Sequence, residues 1–334
     1  MIGNNIRKFR LLNGLSLREL GEKLKISQTA VNKYEKGILI PDGERLLQIA
    51  KTLNCSISDL LKPGYDNRFY ELNFRKRCSL KGKNLEVIKQ IISNKVNDYL
   101  EVLELNNEQP IELKKYVIND INELENVVTK FREDNSLGYN VPLTNLIDIM
   151  ENIGICVIQI DNKNDIFKKF DGASEYIFGV PFVCVLDNHN YYRERFTLAH
   201  ELGHLLLEIN EDLDEEEICN EFAGLLLLPR KSMINEFGNY RFGISDRELK
   251  IVQQEYRVSI KAIIYRLFKY EIINSNTYKN LNIHFNKYLL EEELINKNES
   301  EKANRYEMLV LKLLSQKIIT QSKARELLPG GIDE

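Results

Sequence analysis

The sequence predicts a mainly α-helical fold with a small β-sheet, of the α+β class. Apolar residues recur at three- and four-residue spacing between helix-capping residues over the first 62 residues. Helical patterns continue over 67–118, recur in helices that end near Phe131 and Met150, and return from about residue 193 onward. The β-branched runs that predict strands lie at 154–160 and 176–186. At about 100–200 residues per domain, a chain of 334 residues predicts two or three domains.

The composition is that of an ordinary globular chain. Hydrophobic residues make up 43% and charged residues 29%, which excludes long disordered stretches. No apolar run approaches the roughly 18–20 residues of a membrane span, and the first residues lack an apolar signal core, so we expect a cytoplasmic protein without a membrane partner. The five cysteines are scattered and form no C-x-x-C pair, which argues against a disulfide framework or a thiolate zinc site.

Charge is distributed unevenly along the chain. Residues 1–66 carry 11 Lys and Arg against seven Asp and Glu, a net charge of +4. The whole chain has a net charge of −4, so the remaining 268 residues carry −8. A basic head on an acidic body indicates a module that binds a polyanion.

The head is predicted to consist of five short helices. Ser16 is placed to cap the second helix, with Glu19 three residues on as in a capping box. A tight turn at Lys25 follows, after which Ser27 caps a third helix that Gly37 ends. The fourth helix opens at 41–42 and runs to about residue 53, and a short fifth helix begins near residue 56.

Two short helices joined by a tight turn form the helix-turn-helix plan, whose second helix enters the major groove of DNA. Gln28 and Asn32 are able to pair with an adenine edge, and the other outward side chains suit phosphates or bases. The predicted DNA-binding residues are Ser27, Gln28, Thr29, Asn32 and Lys33. The alternative is a small helical interaction domain with a solvated basic surface.

The stretch SLRELGEKLKISQTAVNKYEKG, residues 16–37, resembles the Cro/CI-like, or Xre, family of helix-turn-helix regulators. The resemblance covers about residues 3–62. Gly21 and Lys25 stand where the family usually has Ala and Gly, and neither change removes a side chain that would read bases. The resemblance implies binding to double-stranded operator DNA as a homodimer.

The sharpest chemical signal is the sequence HELGH at 200–204. Residues four apart lie on one face of a helix, so His200 and His204 can both direct a ring nitrogen at a single ion such as Zn²⁺. Glu201 lies about 100° around the helix axis, where it would act as a general base toward the attacking water without being a ligand. The alternative is a pair of ordinary buried histidines.

A zinc site needs a third protein ligand, and the acidic segment at 211–217 contains the candidates. Helical spacing places Glu216 on a stripe with Asn220, which would lie one turn behind it as a supporting partner of the metal site. Glu217 lies on a more solvent-like stripe. Spacing favours Glu216 only weakly, so both carboxylates remain candidates on this evidence.

Three segments resemble the ImmA/IrrE family of zinc metallopeptidases. They are RFTLAHELGH at 195–204, EEICNEFA at 216–223 and LLP at 227–229. The resemblance implies that His200, His204 and Glu216 bind Zn²⁺ and that Glu201 is the catalytic base. Cys219, where the family usually has Ala, is interpreted as a small buried residue. Members of the family cleave repressor proteins, and many bacterial members carry a repressor-like head.

These patterns together predict four segments. They are a helix-turn-helix DNA-binding domain at 1–66, a helical connector at 67–118, a metallopeptidase domain at 119–235 and a helical C-terminal region at 236–334. In terms of fold, an all-α head precedes the zincin-like domain that the second resemblance implies. An extended substrate is expected to pair with an exposed strand edge near 176–186.

The predicted function is a transcriptional regulator that cleaves a repressor-type protein, a partner or itself, to relieve repression. The alternative is a DNA-binding regulator or antitoxin-like protein whose zinc domain is a non-hydrolytic sensor or scaffold. A retained base at Glu201 favours hydrolysis. The sequence does not single out an oxyanion donor among the four candidates, His189, Tyr191, Tyr192 and His284.

Overall fold

The computed structural model describes residues 2–61, 83–161, 170–187, 190–292, 301–329 and 331. The basic start of the predicted connector, at 75–77, and the candidate His189 lie outside the described residues. The chain divides into two units, Met1–Asn107 and Glu108–Glu334, each with its own apolar core.

The described part of the first unit is helical. Its helices are α1 (Ile2–Leu12), α2 (Leu17–Leu24), α3 (Gln28–Glu35), α4 (Gly43–Thr52), α5 (Ile57–Leu61) and α6 (Lys83–Leu105). Helix α6 lies within the predicted connector and packs on α1, where Arg7 Nη2 lies 3.0 Å from Glu86 Oε2. The described residues of that segment also include a three-residue strand, Tyr116–Ile118.

Local capping chemistry sets the helix boundaries of the head, as predicted. Ser16 and Glu19 form a complete capping box at the start of α2. Lys25 ends α2 in the left-handed conformation with φ 55°, and Ser27 Oγ accepts the backbone N–H of Ala30 to cap α3. The apolar faces that these caps align meet in a core that includes Leu20, Val31, Ile49 and Leu53.

A buried ion pair, which the sequence analysis missed, closes the same core. Arg10 Nε and Nη2 donate to the two carboxylate oxygens of Glu35 at 2.6 and 2.9 Å. Arg10 also donates to the carbonyl oxygen of Leu15 at 2.8 Å. The pair therefore ties α1 to the last residue of α3.

The second unit mixes helices with two small sheets. Its strands are β1 (Tyr116–Ile118), β2 (Cys156–Asp161), β3 (Gly172–Ile177), β4 (Val180–Asp187) and β5 (Leu207–Ile209). Its helices are α7 (Leu124–Asp134), α8 (Leu146–Asn152), α9 (Tyr191–Leu206), α10 (Glu215–Leu227), α11 (Arg230–Phe237), α12 (Asp246–Tyr256), α13 (Ile260–Lys269), α14 (Ser275–Glu292), α15 (Arg305–Ser315) and α16 (Gln321–Leu327).

The larger sheet has the strand order β2-β4-β3, with β2 parallel and β3 antiparallel to β4. Phe178 and Gly179 join β3 to β4, both with positive φ, as a type I′ hairpin turn requires. The expectation of an exposed edge near 176–186 is wrong for β4, because β4 is paired on both sides. Among the described residues, β3 is paired on one side only.

One apolar core extends through the second unit, from Leu113 to Phe285. Helices α9 and α10 pack together in it and bury Leu202 and Phe222 completely. The core continues across the predicted boundary at 235–236, and the division into four segments stays a prediction. None of the described helices combines the length and apolar character needed to cross a bilayer.

Candidate metal centre and DNA-binding helix

The start of each helix that carries the predicted metal residues is fixed by a side-chain cap. Asn190 accepts the backbone N–H of Arg193 and begins α9. Asp214 accepts the backbone N–H groups of Glu216 and Glu217 and begins α10. With the two helices packed together, the first turn of α10 lies beside the imidazoles of α9.

The structure brings His200, His204 and Glu216 together. The Nε2 atoms of the two imidazoles are 3.1 Å apart. Glu216 Oε2 lies 3.3 Å from Nε2 of His200, and Oε1 lies 3.5 Å from Nε2 of His204. Among the described residues the possible ligand cluster contains Glu216 and not Glu217. The roles of the three residues as ligands stay predictions.

The Nδ1 atoms of the two imidazoles contact oxygen acceptors. His200 Nδ1 lies 3.0 Å from Oδ1 of Asn220, and His204 Nδ1 lies 2.8 Å from Oε1 of Glu215. These oxygens accept hydrogen bonds, so each Nδ1 carries a proton, and in the neutral imidazole each Nε2 then presents a lone pair.

This arrangement fits a divalent cation. Two lone pairs and a carboxylate converge on one point, an arrangement that is repulsive until a positive charge lies between them. Ligand atoms at about 2.0–2.1 Å from a tetrahedral zinc ion lie roughly 3.3 Å apart, close to the separations of 3.1, 3.3 and 3.5 Å found here. The donor set of two imidazoles and one carboxylate is also one that zinc accepts.

Glu201 lies beneath strand β3. It is 4% exposed, and its Oε2 accepts a hydrogen bond from Ser174 Oγ at 2.6 Å. A Cβ added to Gly172 would lie 2.6 Å from Cγ2 of Thr197, so only glycine allows the strand to pack this closely on α9. The sequence analysis missed Ser174 and Gly172 because it began this strand at Tyr176; the alternation of small residues two apart was the available signal.

The predicted DNA-binding residues lie on the solvent side of the head. Gln28, Thr29 and Lys33 on α3 are exposed, and Asn32 is half-buried. Ser27 is also exposed, but its hydroxyl serves as the cap of α3. Four side chains of α3 are therefore directed away from the core, and their contacts with DNA stay predictions.

Residues 6–60 match the family model described as helix-turn-helix, and residues 150–268 match the one described as the IrrE N-terminal-like domain. The chain joins a helix-turn-helix domain to an IrrE N-terminal-like domain. The first is a DNA-binding domain and the second belongs to a family of metallopeptidases. Both resemblances that the sequence predicts, and the α+β fold class, are confirmed.

Solved structures of two regulators are similar to the chain at low identity. PlcR from Bacillus thuringiensis, in complex with the peptide PapR7 and DNA, is 14% identical, with 98% of this chain and 91% of that chain covered and a TM-score of 0.20. ComR from S. thermophilus, in complex with DNA and its signalling peptide ComS, is 15% identical, with 98% and 96% covered and a TM-score of 0.18. These scores are too low to establish a shared fold. No curated protein matches the chain.

A cleft of about 840 Å³ opens beside Glu216 and Asn220 in the IrrE N-terminal-like domain. Its walls come from the start of α9, from α10, and from α13 with the turn before it. Tyr192, one of the candidate oxyanion donors, lines the cleft together with Tyr265. The other described candidates have different partners: the hydroxyl of Tyr191 contacts Glu301, and Nε2 of His284 lies 2.8 Å from Oδ2 of Asp246.

A buried arginine on α9, Arg195, connects this helix to distant parts of the same unit. Arg195 is 1% exposed and forms an ion pair with Glu301. It also donates to the carbonyl oxygen of Leu143 at 2.8 Å. Burial lowers the pKa of Arg195 to about 10, which still leaves the guanidinium charged at neutral pH.

We expect the free energy of unfolding of the IrrE N-terminal-like domain to fall as the pH rises from 4.5 to about 7, because of the buried carboxyl of Glu194. Burial raises the pKa of this carboxyl from 4.5 to about 7. Because the folded-state pKa is the higher one, the stabilisation is complete below pH 4.5 and is lost as the pH rises through 7, at most about 3 kcal/mol. Urea denaturation across pH 4.5–8 should show that the free energy of unfolding declines more steeply with pH in wild type than in Glu194→Gln. Equal slopes would contradict the prediction.

Proposed function

We propose that this protein is a transcriptional regulator whose IrrE N-terminal-like domain is a zinc-dependent endopeptidase. It binds operator DNA through the helix-turn-helix domain and cleaves a repressor-type protein, a partner or itself, to relieve repression. One observation carries the enzymatic part of this proposal. The lone pairs of His200 and His204, on the helix that also bears Glu201, converge with the carboxylate of Glu216 on α10.

Each residue of the centre has its own role in the proposed hydrolysis. His200, His204 and Glu216 would hold the zinc ion, which when bound would supply Lewis-acid polarisation of a peptide carbonyl. Glu201 accepts a proton from the attacking water and passes it to the leaving amine. Ser174 holds the carboxylate of Glu201 in one orientation through the 2.6 Å hydrogen bond.

Strand β3 offers an extended substrate the edge along which no other described strand pairs. Ser174 lies on this strand and contacts Glu201, so a peptide added along the edge lies next to the proposed base. The cleft beside Glu216 then receives side chains of the peptide. This geometry supports a substrate that is extended around the scissile bond, such as a linker or an unfolded segment of a repressor.

The DNA-binding part of the proposal assigns Gln28 and Asn32 to base edges and Ser27, Thr29 and Lys33 to phosphates or bases. We propose a cytoplasmic homodimer in which two copies of α3 read two half-sites on one face of the duplex. The proposed domains are the four segments predicted from the sequence, at 1–66, 67–118, 119–235 and 236–334.

A second candidate function is supported by the surroundings of Glu201. The side chain is 4% exposed and its carboxylate is engaged by Ser174, which is compatible with a domain that binds zinc and never hydrolyses. In that case the protein is a regulator, or an antitoxin-like protein, that uses the zinc domain as a sensor or scaffold.

The experiment compares wild type with Glu201→Gln in cells under DNA damage or induction of a mobile element. We expect mass spectrometry to detect fragments of a repressor, or of this protein, in wild type, and their yield to fall at least 100-fold in the variant. Zinc content and recovery of bound DNA serve as controls and should be equal in both. If zinc-loaded wild type yields no more fragments than Glu201→Gln does, the result would support the sensor or scaffold instead.

A further inference from the structure

Glu215 contacts the metal-site helix although no motif includes it. Its side chain is 53% exposed, yet its Oε1 lies 2.8 Å from Nδ1 of His204, whose own side chain is 1% exposed. The contact is on the side of the ring opposite to Glu216, which lies at Nε2. Glu215 therefore meets His204 as a hydrogen-bond acceptor and not as a member of the ligand cluster.

A second neighbour of this ring nitrogen, Cys219, is a weak partner. Cys219 Sγ lies 3.3 Å from Nδ1 of His204, and a thiol is a poor acceptor. Removing Glu215 takes away the carboxylate acceptor 2.8 Å from Nδ1, which favours the tautomer with the proton on Nε2. That tautomer has no lone pair to offer at the point where the two imidazoles and Glu216 converge.

We infer that Glu215 is a positioning residue that fixes the tautomer and the ring orientation of His204, and that zinc affinity depends on it. Asn220 does the same for His200, so the first two turns of α10 orient both imidazoles. The inference rests on the proposed metal site and is independent of whether the domain hydrolyses peptides. Partners of this kind typically contribute 10–100-fold to metal affinity.

The test measures Zn²⁺ affinity of the full-length protein by competition with a chromophoric chelator. Glu215→Ala is expected to bind 10–100-fold more weakly than wild type. Glu215→Gln should regain most of the loss, because the amide oxygen accepts the same hydrogen bond. Two variants should stay near wild type: Glu217→Ala, which removes the same charge from the same helical turn, and Cys219→Ala, which leaves the contact with Glu215 in place.

A second measurement needs no metal. The chain has four histidines, so selective ¹⁵N labelling gives few signals. Wild type without metal should show the Nδ1–H tautomer at His204, and Glu215→Ala should shift the population toward Nε2–H. The visible spectrum of the Co²⁺-loaded protein should change in Glu215→Ala and return toward wild type in Glu215→Gln.

The outcomes separate the two proposals. Three results would each overturn the positioning role while leaving the zinc site intact. They are an equal loss of zinc affinity in Glu215→Ala and Glu217→Ala, a loss of affinity in Glu215→Gln as large as in Glu215→Ala, and an unchanged tautomer of His204 in Glu215→Ala. Wild type that takes up no zinc would overturn the zinc peptidase. The tautomer measurement would then still decide whether Glu215 sets the state of His204.

Discussion

Replacing Glu301 with Ala is expected to lower the free energy of unfolding of the second unit by about 3–5 kcal/mol. Arg195 is almost completely buried and forms its ion pair with this carboxylate. Removing one partner of a buried pair leaves the other charge without compensation in a medium where water cannot replace it. The same carboxylate accepts the backbone N–H groups of Leu146 and Ile147 at 2.7 and 2.9 Å, and these donors at the start of α8 lose their acceptor as well.

Urea denaturation followed by circular dichroism measures the effect. Glu307→Ala is the matched control, since that carboxylate lies two residues into α15 and is exposed. Zinc affinity is a second readout, because Arg195 lies on α9 five residues before His200. Equal losses of stability in the two variants would show that the buried pair does not support the domain as argued here.

Features that depend on a few neighbouring residues could be predicted from the sequence. The capping box of Ser16 and Glu19 and the turn at Lys25 are local, and the structure has them as expected. The spacing of His200 and His204 likewise follows from helix geometry alone. The choice between Glu216 and Glu217 was not local in this sense, because it depends on how α10 rotates against α9. Spacing favoured Glu216 weakly, and the family resemblance was needed to choose it.

Features that depend on distant residues or very short elements were missed. The partner of Arg195 is 106 residues away in the chain. Strands β1 and β5 have three residues each, which is too short for an alternating pattern to appear. The start of β3 carries Gly172 and Ser174 instead of β-branched residues, because the strand must pack closely on α9 and contact Glu201. Strand propensity is therefore weak where the site needs small side chains.

Arg10→Met is expected to destabilise the first unit by about 3–5 kcal/mol. Both members of the pair with Glu35 are 7% exposed, so the methionine leaves a buried carboxylate without its two charge-assisted hydrogen bonds. Arg18 pairs with Glu22 across one turn of α2 at an exposed site, and Arg18→Met should change little. Thermal or urea unfolding of the two variants measures the contrast, and similar losses in both would contradict the burial argument.

The double variant Arg10→Met with Glu35→Leu decides what the pair contributes. An isolated buried carboxylate costs several kcal/mol, whereas two apolar side chains of similar volume leave no charge to compensate. We therefore expect the double variant to recover most of the stability that Arg10→Met loses. Because Glu35 is the last residue of α3, DNA binding by the double variant then tests a separate role. Recovered stability with lost DNA binding would mean that the pair sets the orientation of α3; recovery of both would mean that apolar packing positions the helix equally well.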